Sequence, residues 1–111
     1  MAAKSKYIFQ IHPLVISEDL PALPSELIAA FSDEYRPILS SDPYGCKGFP
    51  NHDLKGRLQD FRTLDIDFGG ISYRLVYRVY ESPAPKRVYV VSFVEHDPAY
   101  DLAKERMGRA K

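Results

Sequence analysis

The sequence predicts an α+β fold, and three observations carry that expectation. A β-branched and aromatic run opens the chain, three more such runs crowd its second half, and helical spacing fills the stretches before and after those three. Tyr7-Ile8-Phe9-Gln10-Ile11 suits a pleated, half-buried surface and is stopped by His12-Pro13, so it reads as a first strand. A short helical stretch follows, with Ser17 placed to cap Glu18-Asp19-Leu20 and with Pro21 and Pro24 limiting its length. Ser25-Glu26 opens a longer helix, where Leu27, Ile28, Phe31, Tyr35, Ile38 and Leu39 recur at three- and four-residue spacing along one face. Pro37 is expected to kink or end it, and Ser40-Ser41-Asp42-Pro43 closes it.

Tyr44 to Asp53 holds Gly45, Gly48, Pro50 and Asn51 and reads as a loop. Phe61 to Phe68 is a strand ending at a Gly69-Gly70 hairpin turn. Ile71 to Glu81 alternates Ile71, Tyr73, Leu75, Tyr77 and Val79 on one face with Arg74, Val76, Arg78 and Tyr80 on the other. Ser82 to Lys86 links it to Arg87 to Glu95, its expected antiparallel partner. In the tail, Asp97 is a capping residue, Pro98 takes the first helical position and Gly108 stops a helix with a narrow Leu102, Ala103 and Met107 stripe. The expected architecture is an N-terminal strand, a helical hairpin with a short first helix, a three-stranded antiparallel sheet and a C-terminal helix.

At 111 residues, with 45% hydrophobic and 27% charged residues, the chain has the size and composition of one folded domain. Its apolar runs are far too short to span a membrane, and Lys4 and Lys6 precede no apolar leader, so a cytoplasmic protein without a membrane partner is expected. Cys46 is alone, which excludes an internal disulfide, and His12, His52 and His96 are too scattered to suggest a metal; no cofactor is expected. The net charge of zero hides an asymmetry. Up to Cys46 there are three basic residues (Lys4, Lys6, Arg36) and six acidic ones (Glu18, Asp19, Glu26, Asp33, Glu34, Asp42), which leaves twelve basic and nine acidic residues beyond it. Any phosphate-binding surface is therefore a focused patch in the second half, not a globally basic body.

Several motifs follow one another along this order. Asp19-Leu20-Pro21-Ala22-Leu23-Pro24 ends the first helical stretch, and Leu39-Ser40-Ser41-Asp42-Pro43 closes the second. His52-Asp53-Leu54-Lys55-Gly56 precedes the aromatic and basic strand Phe61-Arg62-Thr63-Leu64-Asp65-Ile66. Tyr73-Arg74-Leu75-Val76-Tyr77 is the most specific, and His96 and Tyr100 open the last helix. Together, from the first strand almost to the C-terminus, these resemble the RelE/ParE superfamily of toxins from type II toxin–antitoxin pairs.

The resemblance implies a metal-independent endoribonuclease that cuts ribosome-bound mRNA and is restrained by a cognate antitoxin protein. In such chemistry the ribose 2′-hydroxyl attacks the adjacent phosphate, which calls for a base, cations for the phosphorane charge and an acid for the leaving oxygen. It places Arg74 at charge stabilisation with Arg62 in support, Tyr100 at the base or base-orienting position and His96 near the leaving group, while Lys55, Arg57 and Arg78 would hold RNA. Read without the family, Arg74 and Arg78 are a solvated strand face, Tyr73, Tyr77 and Tyr89 pack the sheet, and His12, His52 and Cys46 carry no role. Asp65 and Asp67 depart from the basic pattern of active members: they would repel phosphate, or pair with Arg62 or Arg74. Two other readings of the same scaffold therefore stand beside the nuclease, a gyrase-binding toxin that cuts no RNA and a weakened member acting through protein contacts alone.

Overall fold

Period-two alternation through the second half of the chain builds a sheet with both faces in use. The computed structural model describes residues 6–108, apart from the side chain of Asp97. Its strands are β1 (Ile8–Ile11), β2 (Asn51–Asp53), β3 (Phe61–Phe68), β4 (Ile71–Tyr80) and β5 (Arg87–Glu95), and its α-helices are α1 (Ser25–Ala30), α2 (Arg36–Ser41) and α3 (His96–Arg106). The fold is α+β, as expected, but the sheet has five strands rather than three, in the order β1-β5-β4-β3-β2. β3, β4 and β5 form the expected antiparallel core. Gly69 and Gly70 make the β3–β4 turn with φ of 60° and 81°, the left-handed pair a two-residue hairpin requires.

The other two strands lie at the edges, one of them the expected N-terminal strand and the other unexpected. β1 joins β5 in parallel, from Ile8 opposite Arg87 to Ile11 opposite Val90. β2 pairs with β3 over Asn51–Leu64, His52–Thr63 and Asp53–Arg62. At three polar residues it is too short to show alternation, which is why this stretch reads as loop from the sequence.

The long helix does not end at Pro37. α1 passes through a wide turn at Phe31–Tyr35, where the Arg36 N–H bonds to the Phe31 carbonyl, and continues as α2 to Ser41. Proline has no N–H to give to the ladder, and a wide turn just before it is one way for a helix to accommodate that loss. The wide turn also aligns the core. Leu27, Phe31, Tyr35 and Leu39 are four residues apart, a spacing that drifts by about 40° per step on a regular α-helix. The extra residue in the turn offsets the drift, and all four are buried. Ile28, expected on the same face, is 37% exposed.

The short helical stretch comprises a wide turn at Val15–Asp19 and a tight turn at Leu20–Ala22. Ser17 lies inside it and caps nothing; the exposed N–H of Leu14 instead donates to His12 Nδ1 at 3.1 Å. α3 starts at His96, with Glu95 in the capping position. The Asp97 side chain, expected to cap this helix, lies outside the described residues, as do Met1 to Ser5. Gly108, at φ 69°, terminates the helix with its N–H on the Glu105 carbonyl at 3.1 Å. The buried stripe of α3 is Ala99 and Ala103, with Leu102 and Met107 only half-buried. Two small residues one turn apart let this helix sit close to the sheet.

The cores divide by sheet face. α1 and α2 cover Leu64, Leu75, Tyr77, Val88, Val90 and Phe93. α3 covers the other face over Phe61, Val76 and Val91, together with Leu58. Tyr73 and Tyr77 are therefore core residues, as the plainer reading has it. Cys46 is fully buried, its Sγ 3.3 Å from the Tyr77 hydroxyl, which donates to the Pro43 carbonyl at 2.6 Å. Burial pushes the Cys46 thiol up, away from the reactive thiolate.

A third knot ties the chain start to the end of β4. Tyr44 and Tyr7 both donate to Glu81 Oε2, at 2.5 and 2.7 Å. These two donors hold the Glu81 carboxyl below its usual range, while burial and Glu81 push Tyr7 up to about 12 and Tyr44 up as well. The sign follows from linkage. The lowered Glu81 contributes stability that is present above its ordinary value and lost as pH falls through the folded one. The raised Tyr7 contributes stability that is present below pH 10 and lost as pH rises toward about 12. Denaturant midpoints should thus fall on the alkaline side from pH 10 in the wild type. The fall should be shallower in Tyr7→Phe; equal alkaline slopes would show that this phenol does not matter.

Candidate functional site

Strand register decides which predicted residues can act together. Side chains of directly paired residues share a face, so Asp65 and Arg74, paired across β3 and β4, lie together on the face that α3 covers. His52 belongs to the same face, because it pairs with Thr63, two residues before Asp65. The side chains join these three strands laterally. His52 Nδ1 stands 3.2 Å from Asp65 Oδ2, and Arg74 Nε stands 3.2 Å from Asp65 Oδ1. The second contact is an ion pair without the alignment of a hydrogen bond, since neither atom has a hydrogen-bond partner. Arg74 Nη1 donates to the Tyr73 carbonyl at 3.0 Å. Arg74 is 17% exposed, Asp65 23% and His52 49%, so the imidazole is the solvent-facing member of the row.

The N-terminus of α3 meets this row from the other side. Arg74 pairs with Val94, two residues before His96. Tyr100 packs on the same α3-side core as Val94, and its ring meets that of His96 edge to face at 5.6 Å. His96 also lines an open cleft of about 410 Å³ with Ile71, Ser72, Glu95 and Pro98. Ser72 donates to Asp67 Oδ1 at 2.9 Å, so Asp67 is used within the sheet and not on an arginine. Arg74, His96 and Tyr100 thus fall on one face and at one end of the sheet, with His52 and Asp65 beside them.

The other end of this face carries a second cationic group. Arg78 lies four residues along β4 from Arg74, about 13 Å at the usual strand rise. Its guanidinium sits over the Tyr80 ring at 4.6 Å and the Phe61 ring at 5.7 Å, with Asp60 at 3.8 Å. Arg87 lies over the same Tyr80 ring at 4.2 Å. These contacts hold the guanidinium groups against the sheet by cation–π attraction. Lys55 and Arg57 are exposed on and next to the tight turn Gly56–Leu58, which contacts α3.

Arg62 does not join this group. It pairs with Tyr77, and so points to the α1 and α2 face, opposite Arg74. There it contacts Asp53 and Asn51, donates to the Tyr44 carbonyl at 3.1 Å and lies 5.5 Å from the centre of the Tyr44 ring. Its work is to hold β2 and the Tyr44 loop against β3. The expected competition of Asp65 for Arg62 or Arg74 resolves in favour of Arg74, with Asp53 taking Arg62.

Two features escaped the sequence reading. One is His52, whose partner is thirteen positions away and reaches it only through the β2–β3 pairing that the sequence does not show. The other is a buried ion pair between Asp19 and Arg106, each 3% exposed in its side chain. Arg106 donates from Nη1 to Asp19 Oδ2 at 2.7 Å and from Nη2 to Oδ1 at 2.8 Å. It also donates to the Val91 carbonyl at 2.9 Å, while Asp19 Oδ2 accepts the Phe93 N–H at 2.9 Å. β1 leaves the edge of β5 after Ile11, and this pair supplies the donor and acceptor that a longer β1 would have offered. A signal existed: Arg106 follows Ala99 and Ala103 at helical spacing, an arginine on the buried stripe of α3.

Among the described residues, no helix is long and apolar enough to cross a membrane, and no group of three or more His, Cys, Asp or Glu side chains is placed to hold a metal ion. No family model, curated protein or solved structure matches the chain.

Proposed function

We propose that this chain is a RelE/ParE-type toxin of a type II toxin–antitoxin pair, a cytoplasmic, metal-independent endoribonuclease that cuts mRNA on the ribosome. The observation that supports the reading most is the convergence of Arg74, His96 and Tyr100 on one face and at one end of the sheet. That set supplies charge for a phosphorane, an imidazole near the leaving oxygen and a phenol in contact with that imidazole. Arg78, with Lys55 and Arg57, offers positive charge along the same side of the molecule for the RNA backbone. Arg62 has no part in the chemistry, being on the opposite face. A cognate antitoxin would mask this face until it is degraded.

A second reading, a toxin that binds gyrase or another protein and cuts no RNA, draws support from the carboxylates. Asp65 neutralises Arg74, and Asp53 neutralises Arg62. Induced expression without antitoxin, with mapping of mRNA 5′ ends, separates the two. Growth arrest with new ends inside translated codons is the expected result. Arrest without such ends moves the assignment to a protein target, and the absence of arrest refutes toxicity altogether.

A further inference from the structure

We propose that His52, in place of Tyr100, whose ring lies against His96, is the general base of the cleavage reaction and that Asp65 is the residue that positions it. The inference rests on the nuclease reading above and adds a residue to its site. It starts from a conflict: an aspartate beside the essential arginine weakens that arginine's hold on a phosphate unless the aspartate serves another group. Here it does. Asp65 stands between two cationic or potentially cationic side chains, with Oδ1 toward Arg74 and Oδ2 toward His52, both at 3.2 Å.

The geometry sets the proton inventory. An ionised carboxylate only accepts, so His52 Nδ1 carries the proton toward Asp65 and Nε2 keeps its lone pair. Asp65 thus fixes one tautomer of a half-exposed ring, with Arg74 against its other oxygen. His52 enters on β2, one strand beyond Asp65, while His96 follows the end of β5, so the two imidazoles stem from opposite sides of the strand that carries Arg74. An in-line displacement at phosphorus needs that arrangement, with the base and the acid on opposite sides of the reacting centre.

The step balances without a further reagent. His52 Nε2 takes the proton of the ribose 2′-hydroxyl as the 2′-oxygen bonds to phosphorus. The bond from phosphorus to the 5′-oxygen breaks, and that oxygen leaves with a proton from the opposite imidazole. The products are a 2′,3′-cyclic phosphate and a 5′-hydroxyl; His52 ends protonated with Asp65 against it and His96 ends deprotonated, and the two are reset as His52 gives its proton to water and His96 takes one from water. Arg74 carries charge complementary to the phosphorane in between.

The test is single-turnover cleavage of ribosome-bound mRNA across a pH series by wild type, His52→Gln, Asp65→Asn and, for comparison, His96→Gln. Glutamine keeps the size and polarity of an exposed side chain, and circular dichroism and melting of each variant check the fold. His52→Gln is expected to lower the rate by about 100-fold or more. It should also abolish the acid limb of the pH profile, which a structural role would leave in place. Asp65→Asn is expected to lower the rate at saturating substrate, because an amide can turn its donor toward Nδ1 and favour the other tautomer. If wild type cleaves and folded His52→Gln cleaves at a similar rate with its acid limb intact, the assignment of the base is overturned while the nuclease reading survives. If wild type leaves ribosome-bound mRNA intact, both fall together.

Discussion

Replacing Arg106 by leucine is expected to destabilise the protein by about 3–5 kcal/mol, because it leaves Asp19 as an uncompensated buried charge. The size of the loss follows from three bonds going at once. Arg106 makes two charge-assisted bonds to Asp19 and one to the Val91 carbonyl, all at a side chain only 3% exposed. For a domain of this size such a loss lowers the melting temperature by something on the order of 15 °C. The ion pair fastens the last turn of α3 to the chain that follows β1, so loss of the α3 signal should precede loss of the sheet. Removing both partners, in Asp19→Leu with Arg106→Leu, should cost less than the sum of the single changes, since the stranded charge is then absent. Urea midpoints of the four proteins give the coupling directly. A midpoint for Arg106→Leu near that of wild type would mean that the pair does not fasten the helix. Acid acts on the same corner. Burial, helped by Arg106 and opposed by Asp19, lowers the His12 imidazole below its ordinary value. A lowered histidine stabilises above its ordinary range and loses that contribution as pH falls through its folded value, so acid should loosen the Leu14 cap and the ion pair beside it.

What the sequence made legible was local. The limits of β3 and β5 and the two faces of β4 follow from alternation and glycine turns, signals confined to about ten residues. The mistakes have a common cause in long-range pairing. β2 exists because Asn51, His52 and Asp53 find β3, and no property of the three residues announces it. Arg62 and Arg74 look alike as arginines on neighbouring strands, yet Arg62 pairs with Tyr77 and Arg74 with Asp65, and that register alone sends them to opposite faces. Pro37 is a local signal and acts locally: the helix becomes irregular just before it and closes at Ser41, as expected, while the form of the irregularity, a wide turn that realigns four core side chains, is what the sequence leaves open. The candidate site divides the same way. Arg74, His96 and Tyr100 were found through motifs, while the His52–Asp65 contact needed the sheet. For Asp65 the sequence offers repulsion of phosphate or pairing with Arg62 or Arg74, and the structure selects Arg74; its second partner, His52, stays out of sight until β2 is in place.

Arg74→Ala is expected to abolish growth arrest while leaving the fold intact, and the contrast with Arg62→Ala makes the result specific. Removing one preorganised donor to a developing anionic charge typically costs about 100- to 1000-fold in rate. The structural cost should be small, because Asp65 keeps His52 as a partner and remains partly exposed. Arg74→Lys should recover only part of the activity, since an ammonium keeps the charge but not the planar fork that engages two phosphate oxygens. Arg62→Ala should do the reverse. It releases Asp53, Asn51 and the Tyr44 carbonyl, and so lowers stability, yet it touches no group on the catalytic face. Its one route to that face is β2, which Arg62 holds against β3 and which carries His52, so cleavage per folded molecule should fall far less than in Arg74→Ala. Tyr100→Phe isolates the hydroxyl, because the edge-to-face contact with His96 persists in the phenyl ring while any proton transfer through oxygen is lost. Measuring arrest, cleavage and melting on the same set of variants separates chemistry from folding. Full toxicity in Arg74→Ala would put the site elsewhere on the molecule. A loss of cleavage in Arg62→Ala as large as that in Arg74→Ala, without loss of stability, would mean that Arg62 acts on the chemistry itself and that its assignment to the opposite face is wrong.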